Sequence, residues 1–275
     1  MKVNQNRSTK KVRSKIIMMV KITTRCTMGC PHCVSDCKPD GVDMTKDTLR
    51  DVLNWFKREC VGSDFILSGG EPLEHADFFG MMDVIKEWNQ ANDDYIENIV
   101  VTTNGEHLLD APEKYKQLRN DMLIDAGIMV NFQISADVRY YPRRIPTHKR
   151  IFREPGFILV DDCVEHMYPQ GRAKENGLPW DRKGSHCFNI RAIIKQQTKP
   201  DLFGAQIMMA YKGYMCTPHI RVNGDIALGE SDLCPPAASI YDEEGTIGQK
   251  IKDFHCHQCD FINESLPAEY RRFVD

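Results

Sequence analysis

Three cysteines within eight residues, Cys26-Thr-Met-Gly-Cys30-Pro-His-Cys33, constrain this chain more than any other stretch. They follow the apolar run Ile16–Val20 and the polar tail Lys21–Arg25. A loop spaced C-x3-C-x2-C can wrap a compact metal centre and offer it three thiolates. A tetrahedral zinc site usually draws on two separated C-x2-C pairs, which this spacing is not. An iron–sulfur cube normally takes four thiolates. Three from one loop leave one iron open, and an open metal position is where a substrate or cofactor binds.

The remaining cysteines point the same way. The chain has eleven, an odd total that argues against complete pairing. The first 15 residues are basic and polar, with Lys2, Arg7, Lys10, Lys11, Arg13 and Lys15. No small-residue cleavage site follows the short apolar run behind them, so a signal peptide is not expected and the setting reads as cytoplasmic. There, metal is a stronger reason for many cysteines than disulfides. The basic start reads as a solvated terminus rather than an arm for nucleic acid. The net charge of −3 gives no global footprint for nucleic acid. No run of 18 apolar residues exists, so no membrane partner is expected.

Hydrophobic periodicity alternates between strand and helix. Ile16–Ile22 predicts a buried strand, followed by the cysteine loop and the turn-rich Val34–Gly41. Thr45 is a helix cap with Asp47 in the first turn, and Leu49, Val52, Leu53, Phe56 and Cys60 fall at helical spacing. Strands are predicted at 64–67, 99–103, 128–134 and 156–160. Helices carry Phe78, Met82, Ile85 and Trp88, then Tyr115, Leu118 and Met122 behind Pro112. A sixth strand is placed within 205–211. Connections of this length suit parallel pairing, hence α/β. A length of 275 residues, 41% hydrophobic and 27% charged, suits one barrel-sized domain with a small appendage.

Three marks in order make the chain resemble the radical SAM superfamily. They are the Cys26/Cys30/Cys33 loop after the first strand, Gly69-Gly70-Glu71 after the second, and Gln133-Ile-Ser135-Ala-Asp137 after the fourth. The resemblance implies a partial (β/α)6 TIM-type barrel over residues 16–215, behind the basic terminus at 1–15. It also implies a [4Fe-4S] cluster on Cys26, Cys30 and Cys33, with S-adenosylmethionine (SAM) chelating the open iron. Gly69, Gly70 and Glu71 would then contact the SAM amino group, and Ser135 the ribose or carboxylate. His32 stands where the family usually has an aromatic residue near the adenine. Pro169-Gln-Gly171-Arg172-Ala173 resembles a turn whose Arg reaches the SAM region. Cys37 is expected to stay free, because a fourth local thiolate would close the iron that SAM must reach. The basic loop Tyr140–Pro146 reads as solvated charge rather than an anion site.

From residue 216 the texture changes. Residues 219–222 and 225–228 flank Asn223-Gly224, which predicts a two-residue hairpin. Cys216 and Cys234 bracket it, and Cys256-His-Gln-Cys259 adds a C-x2-C pair. Residues 216–275 resemble a Twitch domain, the shortened relative of the SPASM domain. That implies a second [4Fe-4S] cluster on Cys216, Cys234, Cys256 and Cys259. Gly229 stands where the fuller SPASM pattern has a cysteine, so thiols suffice for one cluster and not two. The expected function is SAM cleavage to a 5′-deoxyadenosyl radical that takes hydrogen from a substrate, with flavodoxin or ferredoxin as electron donor. The substrate classes are a peptide or protein side chain, or a sugar or nucleotide. About 15 residues precede the first strand, so a leader-binding winged helix is not expected before the barrel, which lowers the leader-peptide option and keeps it open. The alternative is a non-catalytic iron–sulfur or zinc protein for electron transfer or binding.

Overall fold

The computed structural model describes residues 17–59, 63–136, 141–143, 146, 148–160, 171–178, 219–227 and 234–254. Its first half alternates strand and helix: β1 (Ile17–Thr23), α1 (Lys46–Glu59), β2 (Asp64–Gly69), α2 (Phe78–Gln90), β3 (Asn98–Thr103), α3 (Glu106–Asp110), α4 (Pro112–Ala126), β4 (Met129–Ser135) and β5 (Phe157–Val160). The short helix α5 (Gly171–Glu175) follows, then β6 (His219–Ile220), β7 (Asp225–Ala227), β8 (Pro236–Ser239) and α6 (Ile247–Asp253). The strands form one sheet in the order β5-β4-β3-β2-β1-β6-β7-β8. Strands β1 to β5 pair in parallel. The sheet ends at β5 and β8, so it is an open, partial barrel among the described residues, as expected.

Alternation along the strands separates two faces. Phe65 and Leu67 of β2, Ile99 and Val101 of β3, and Val130, Phe132 and Ile134 of β4 are buried. They meet Leu49, Val52, Leu53 and Phe56 of α1, Phe78, Met82, Ile85 and Trp88 of α2, and Tyr115, Leu118 and Met122 of α4 in one core. These are the helix faces that the periodicity predicts; Cys60 lies outside the described residues. Ser68, Thr102 and Ser135 alternate with that core and fall on the other, half-buried face.

Local chemistry ends the helices, and Thr45 caps α1 as expected. Thr45 Oγ1 accepts from Thr48 N at 3.1 Å, and Asp77 Oδ1 accepts from Gly80 N at 3.1 Å. Gly127, at φ +63°, closes α4. Asn89 is a buried polar hub. It donates to Ile96 O and Ala126 O, both at 3.0 Å, and accepts from Ile96 N at 2.7 Å. It thereby ties the end of α2 to the start of β3 and the end of α4.

The hairpin forms, with one correction. His219 pairs with Ala227 and Ile220 with Ile226. Arg221 N then bonds Asp225 O at 2.8 Å, and Gly224 N bonds Arg221 O at 2.9 Å. The loop is therefore three residues, Val222-Asn223-Gly224, with Gly224 at φ +85°. The physical reason is the pairing of Arg221 with Asp225. A tight turn over 221–224 then leaves glycine the left-handed place beside the strand, a standard three-residue hairpin. Asn223 Oδ1 accepts from Asp225 N at 3.2 Å and supports it. Strand β6 also pairs in parallel with β1, and Ile220, Ile226, Ala238, Ile247 and Ile251 join the main core. The expected strand at 205–211 lies outside the described residues.

Candidate functional site

The site lies at the carboxyl ends of the strands, where open parallel sheets bind ligands. The cysteine loop is an excursion with a closed stem. Cys26 N donates to Lys38 O at 2.9 Å, and Thr24 N donates to Val42 O at 2.8 Å. The chain thus leaves β1, makes the loop and returns alongside itself. Asp43 locks the stem, accepting from Thr23 Oγ1 at 2.5 Å, Arg25 at 3.2 Å and Ala76 N at 3.2 Å.

Two brackets then hold the loop itself. On one side Glu74, in the 3-10 turn Pro72–Glu74, accepts from Thr27 N at 2.9 Å and Thr27 Oγ1 at 2.8 Å. On the other side α5 docks from far along the chain. Arg172 N donates to Cys33 O at 3.0 Å, and Asn176 Nδ2 donates to Pro31 O at 3.0 Å. The Arg172 guanidinium is 3.7 Å from Asp36 and close enough to Cys33 to favour its thiolate.

Within this frame Cys26, Cys30, Cys33 and Cys37 line one cleft with Met28, His32, Ser68, Gly69, Gly70, Glu71, Thr102, Thr103, Asn104, Ser135 and Tyr141. The three loop cysteines and the five predicted contacts His32, Gly69, Gly70, Glu71 and Ser135 are therefore brought together. Arg172 stands behind the loop. Burial pushes the Cys26 thiol up to about 11 and Cys30 up to about 12. Cys33 falls to about 5, chiefly through a hydrogen bond from the Cys37 thiol, with Arg172 helping. A bound metal would deprotonate coordinating thiols outright. Cys37, expected to stay free near the site, is buried against Cys33 and lines the same cleft.

The glycines are required by the chain as much as by any ligand. A Cβ on Gly69 would lie 2.0 Å from Thr23 O, and one on Gly70 would lie 2.1 Å from Arg25 O. Gly69 also sits at φ +136°. The close approach is thus to the end of β1 and the residue before Cys26. Glu71 is buried, and its carboxylate accepts from Leu73 N at 3.1 Å, Thr103 Oγ1 at 2.7 Å and Asn104 N at 2.6 Å. Burial nevertheless raises it to about 7.

The His32 ring meets Tyr141 edge-on, with centroids 5.0 Å apart. Arg143 is not solvated loop charge. It pairs bidentately with Glu106 at 2.6 and 2.7 Å, because the carboxylate at the start of α3 faces the β4–β5 connection. Asp137 lies outside the described residues. Sequence reasoning missed Ser68, Thr102, Thr103, Asn104 and Tyr141 as cleft residues. For Ser68 and Thr102 a signal exists, since both alternate with apolar residues at strand ends. Of the second cysteine set only Cys234 is described; it is buried just before β8. Cys216, Cys256 and Cys259 lie outside the described residues.

An open parallel sheet with a cysteine-lined cleft at its strand ends defines the class of protein. Residues 20–155 match the family model of the Radical SAM superfamily, and this domain belongs to that superfamily. No curated protein matches the chain. Among solved structures, BtrN in complex with AdoMet and 2-DOIA superposes at a TM-score of 0.54 and 13% identity, over 86% of this chain and 84% of BtrN. At that identity the likeness speaks to the fold. Native anSMEcpe with bound AdoMet and Cp18Cys peptide aligns at a TM-score of 0.38 and 13% identity, over 89% and 86% of the two chains. Streptococcus suis SuiB bound to precursor peptide SuiA aligns at 0.39 and 11%, over 88% and 68%. These last two are too distant for a common overall fold to follow.

Membership brings a [4Fe-4S] cluster, SAM, SAM-dependent radical chemistry, an electron donor and a substrate. The residues fit the two cofactors. Three thiols face one cleft. Among the described residues no trio of His, Cys, Asp or Glu is gathered tightly enough to hold a single metal ion. No described helix is long and apolar enough to cross a membrane.

Proposed function

We propose that this protein is a radical SAM enzyme whose cluster is held by Cys26, Cys30 and Cys33 and whose substrate is a peptide or protein side chain, or a sugar or nucleotide. The observation that carries this is the shared cleft: the three thiols face the strand-end residues Gly69, Gly70, Thr103 and Ser135. When bound, the cofactors supply one-electron cleavage of the SAM sulfonium C–S bond and a 5′-deoxyadenosyl radical that takes hydrogen from the substrate.

The chain's own residues do the rest. Cys26, Cys30 and Cys33 would hold the cluster and leave one iron open to the SAM amino and carboxylate groups. Backbone carbonyls at Gly69 and Gly70 take the amino group. Glu71 shapes the same wall by holding Thr103 and Asn104. Ser135 takes the ribose or carboxylate, and His32 with Tyr141 sits on the adenine side. Arg172 steadies the loop from behind. Cys216, Cys234, Cys256 and Cys259 would hold a second [4Fe-4S] cluster in a Twitch-like domain at 216–275. Held there, it would supply a one-electron acceptor for the substrate radical, whose loss of an electron gives the oxidised product. A flavodoxin or ferredoxin would serve as donor.

Anaerobically reconstituted protein with dithionite should convert SAM to 5′-deoxyadenosine, and the triple Cys26/Cys30/Cys33→Ala variant should not. Equal product from that variant would take the cluster off these three cysteines, and none from the wild type would leave a non-catalytic metal protein.

A further inference from the structure

Asn104 follows β3 directly and stands between the glycines of β2 and Ser135 of β4. It lines the cleft and is 6% exposed. Its amide has a defined orientation. The side-chain Oδ1 accepts from Glu106 N at 3.0 Å, while the backbone N–H donates to Glu71 Oε2 at 2.6 Å. With the oxygen turned toward α3, the amide nitrogen is the end left over. Nδ2 is buried and has no hydrogen-bond partner among the described residues. Buried amide donors are nearly always satisfied, so an orphan at a cleft wall asks for an acceptor from outside the chain.

We propose that Asn104 Nδ2 donates to an oxygen of bound SAM, a proposal that rests on the SAM-binding reading above. A neutral N–H donor suits a carboxylate or hydroxyl oxygen. It does not suit the ammonium or the sulfonium. Two oxygen sources exist on SAM: the aminoacyl carboxylate and the ribose hydroxyls. Methionine carries only the first and 5′-deoxyadenosine only the second. Asn104 is therefore a binding residue for the cofactor, supplied by the strand between those already assigned.

The test uses full-length, cluster-reconstituted protein and two substitutions. Asn104→Asp keeps an oxygen for the Glu106 N–H and replaces the donor with an anionic acceptor. Asn104→Ser keeps a short acceptor that can serve the same turn and loses the reach into the cleft. Cluster absorbance and melting temperature confirm that each variant is folded and loaded. Calorimetry with SAM should then show a dissociation constant raised on the order of tenfold for Asn104→Ser, the worth of one hydrogen bond. The loss should be larger for Asn104→Asp. A matching loss for methionine places the acceptor on the carboxylate, and one for 5′-deoxyadenosine places it on the ribose; either supports the assignment. Should both variants bind SAM within twofold of a wild type that does bind it, the assignment is overturned and a buried water is the partner of Nδ2. A wild type that does not bind SAM defeats the function proposed above, and this assignment with it.

Discussion

Glu71 shows how one carboxylate can serve a site without reaching into it. Its two oxygens take three donors from two segments: Oε1 accepts from Leu73 N of the turn after β2 and from Thr103 Oγ1 at the end of β3, and Oε2 accepts from the next residue, Asn104 N. Glu71→Gln keeps the shape but has a single acceptor oxygen. In either orientation its NH2 group faces a backbone N–H, of Asn104 or of Leu73, and leaves that donor stranded. A buried unmade hydrogen bond costs about 1–3 kcal/mol. Denaturant unfolding of Glu71→Gln should show a loss of that size, and a stability equal to wild type would mean that the strap between β2 and β3 carries nothing. The sequence marked Glu71 through its place after Gly69-Gly70. Its partners on β3 were not legible, because which residues stand opposite depends on the sheet order.

The cysteine loop depends on elements that are distant in the chain. The 3-10 turn after β2 holds Thr27 through Glu74, and α5 holds Pro31 and Cys33 through Asn176 and Arg172. Thr27 is itself exposed, so water can take over its N–H, and what Glu74 adds is a fixed tie between the loop and the turn after β2. Glu74→Ala frees both the N–H and the hydroxyl of Thr27, directly after Cys26. The reconstituted variant should lose iron to a chelator several-fold faster than wild type, with the final iron content after reconstitution little changed. Identical release rates would show that the stem at Lys38 and Val42 is enough to order the loop. Periodicity does not reach either element, since a single helical turn is too short to show a buried face, and 169–173 reads only as a turn resembling one whose Arg reaches the SAM region. Their convergence on one loop was invisible, because nothing in residues 72–74 or 171–176 states what they pack against.

At the scale of the molecule, the sheet runs without a break from the parallel strands β1–β5 through β6 into the C-terminal hairpin. The proposal of two clusters, one at each end of the chemistry, is tested by iron. Reconstituted protein should carry about eight irons per chain, and the triple Cys26/Cys30/Cys33→Ala protein about half, with a four-iron spectrum remaining. Stoichiometric zinc without a residual cluster in that protein would make the C-terminal cysteines a structural site. The sequence by itself determined the class of the fold, the faces of its helices, the cysteine loop and the order of the strand-end motifs. All of these are local patterns, set by side-chain period and by short-range spacing. Only the tertiary structure decided that β6 lies beside β1, that the Asn223-Gly224 turn is three residues long, and that Arg143 is paired with Glu106. It alone brought Asn104 and Tyr141 to the cleft. Each of these depends on contacts between residues far apart in the chain, whose meeting is set by packing the whole sheet and not by the identity of near neighbours.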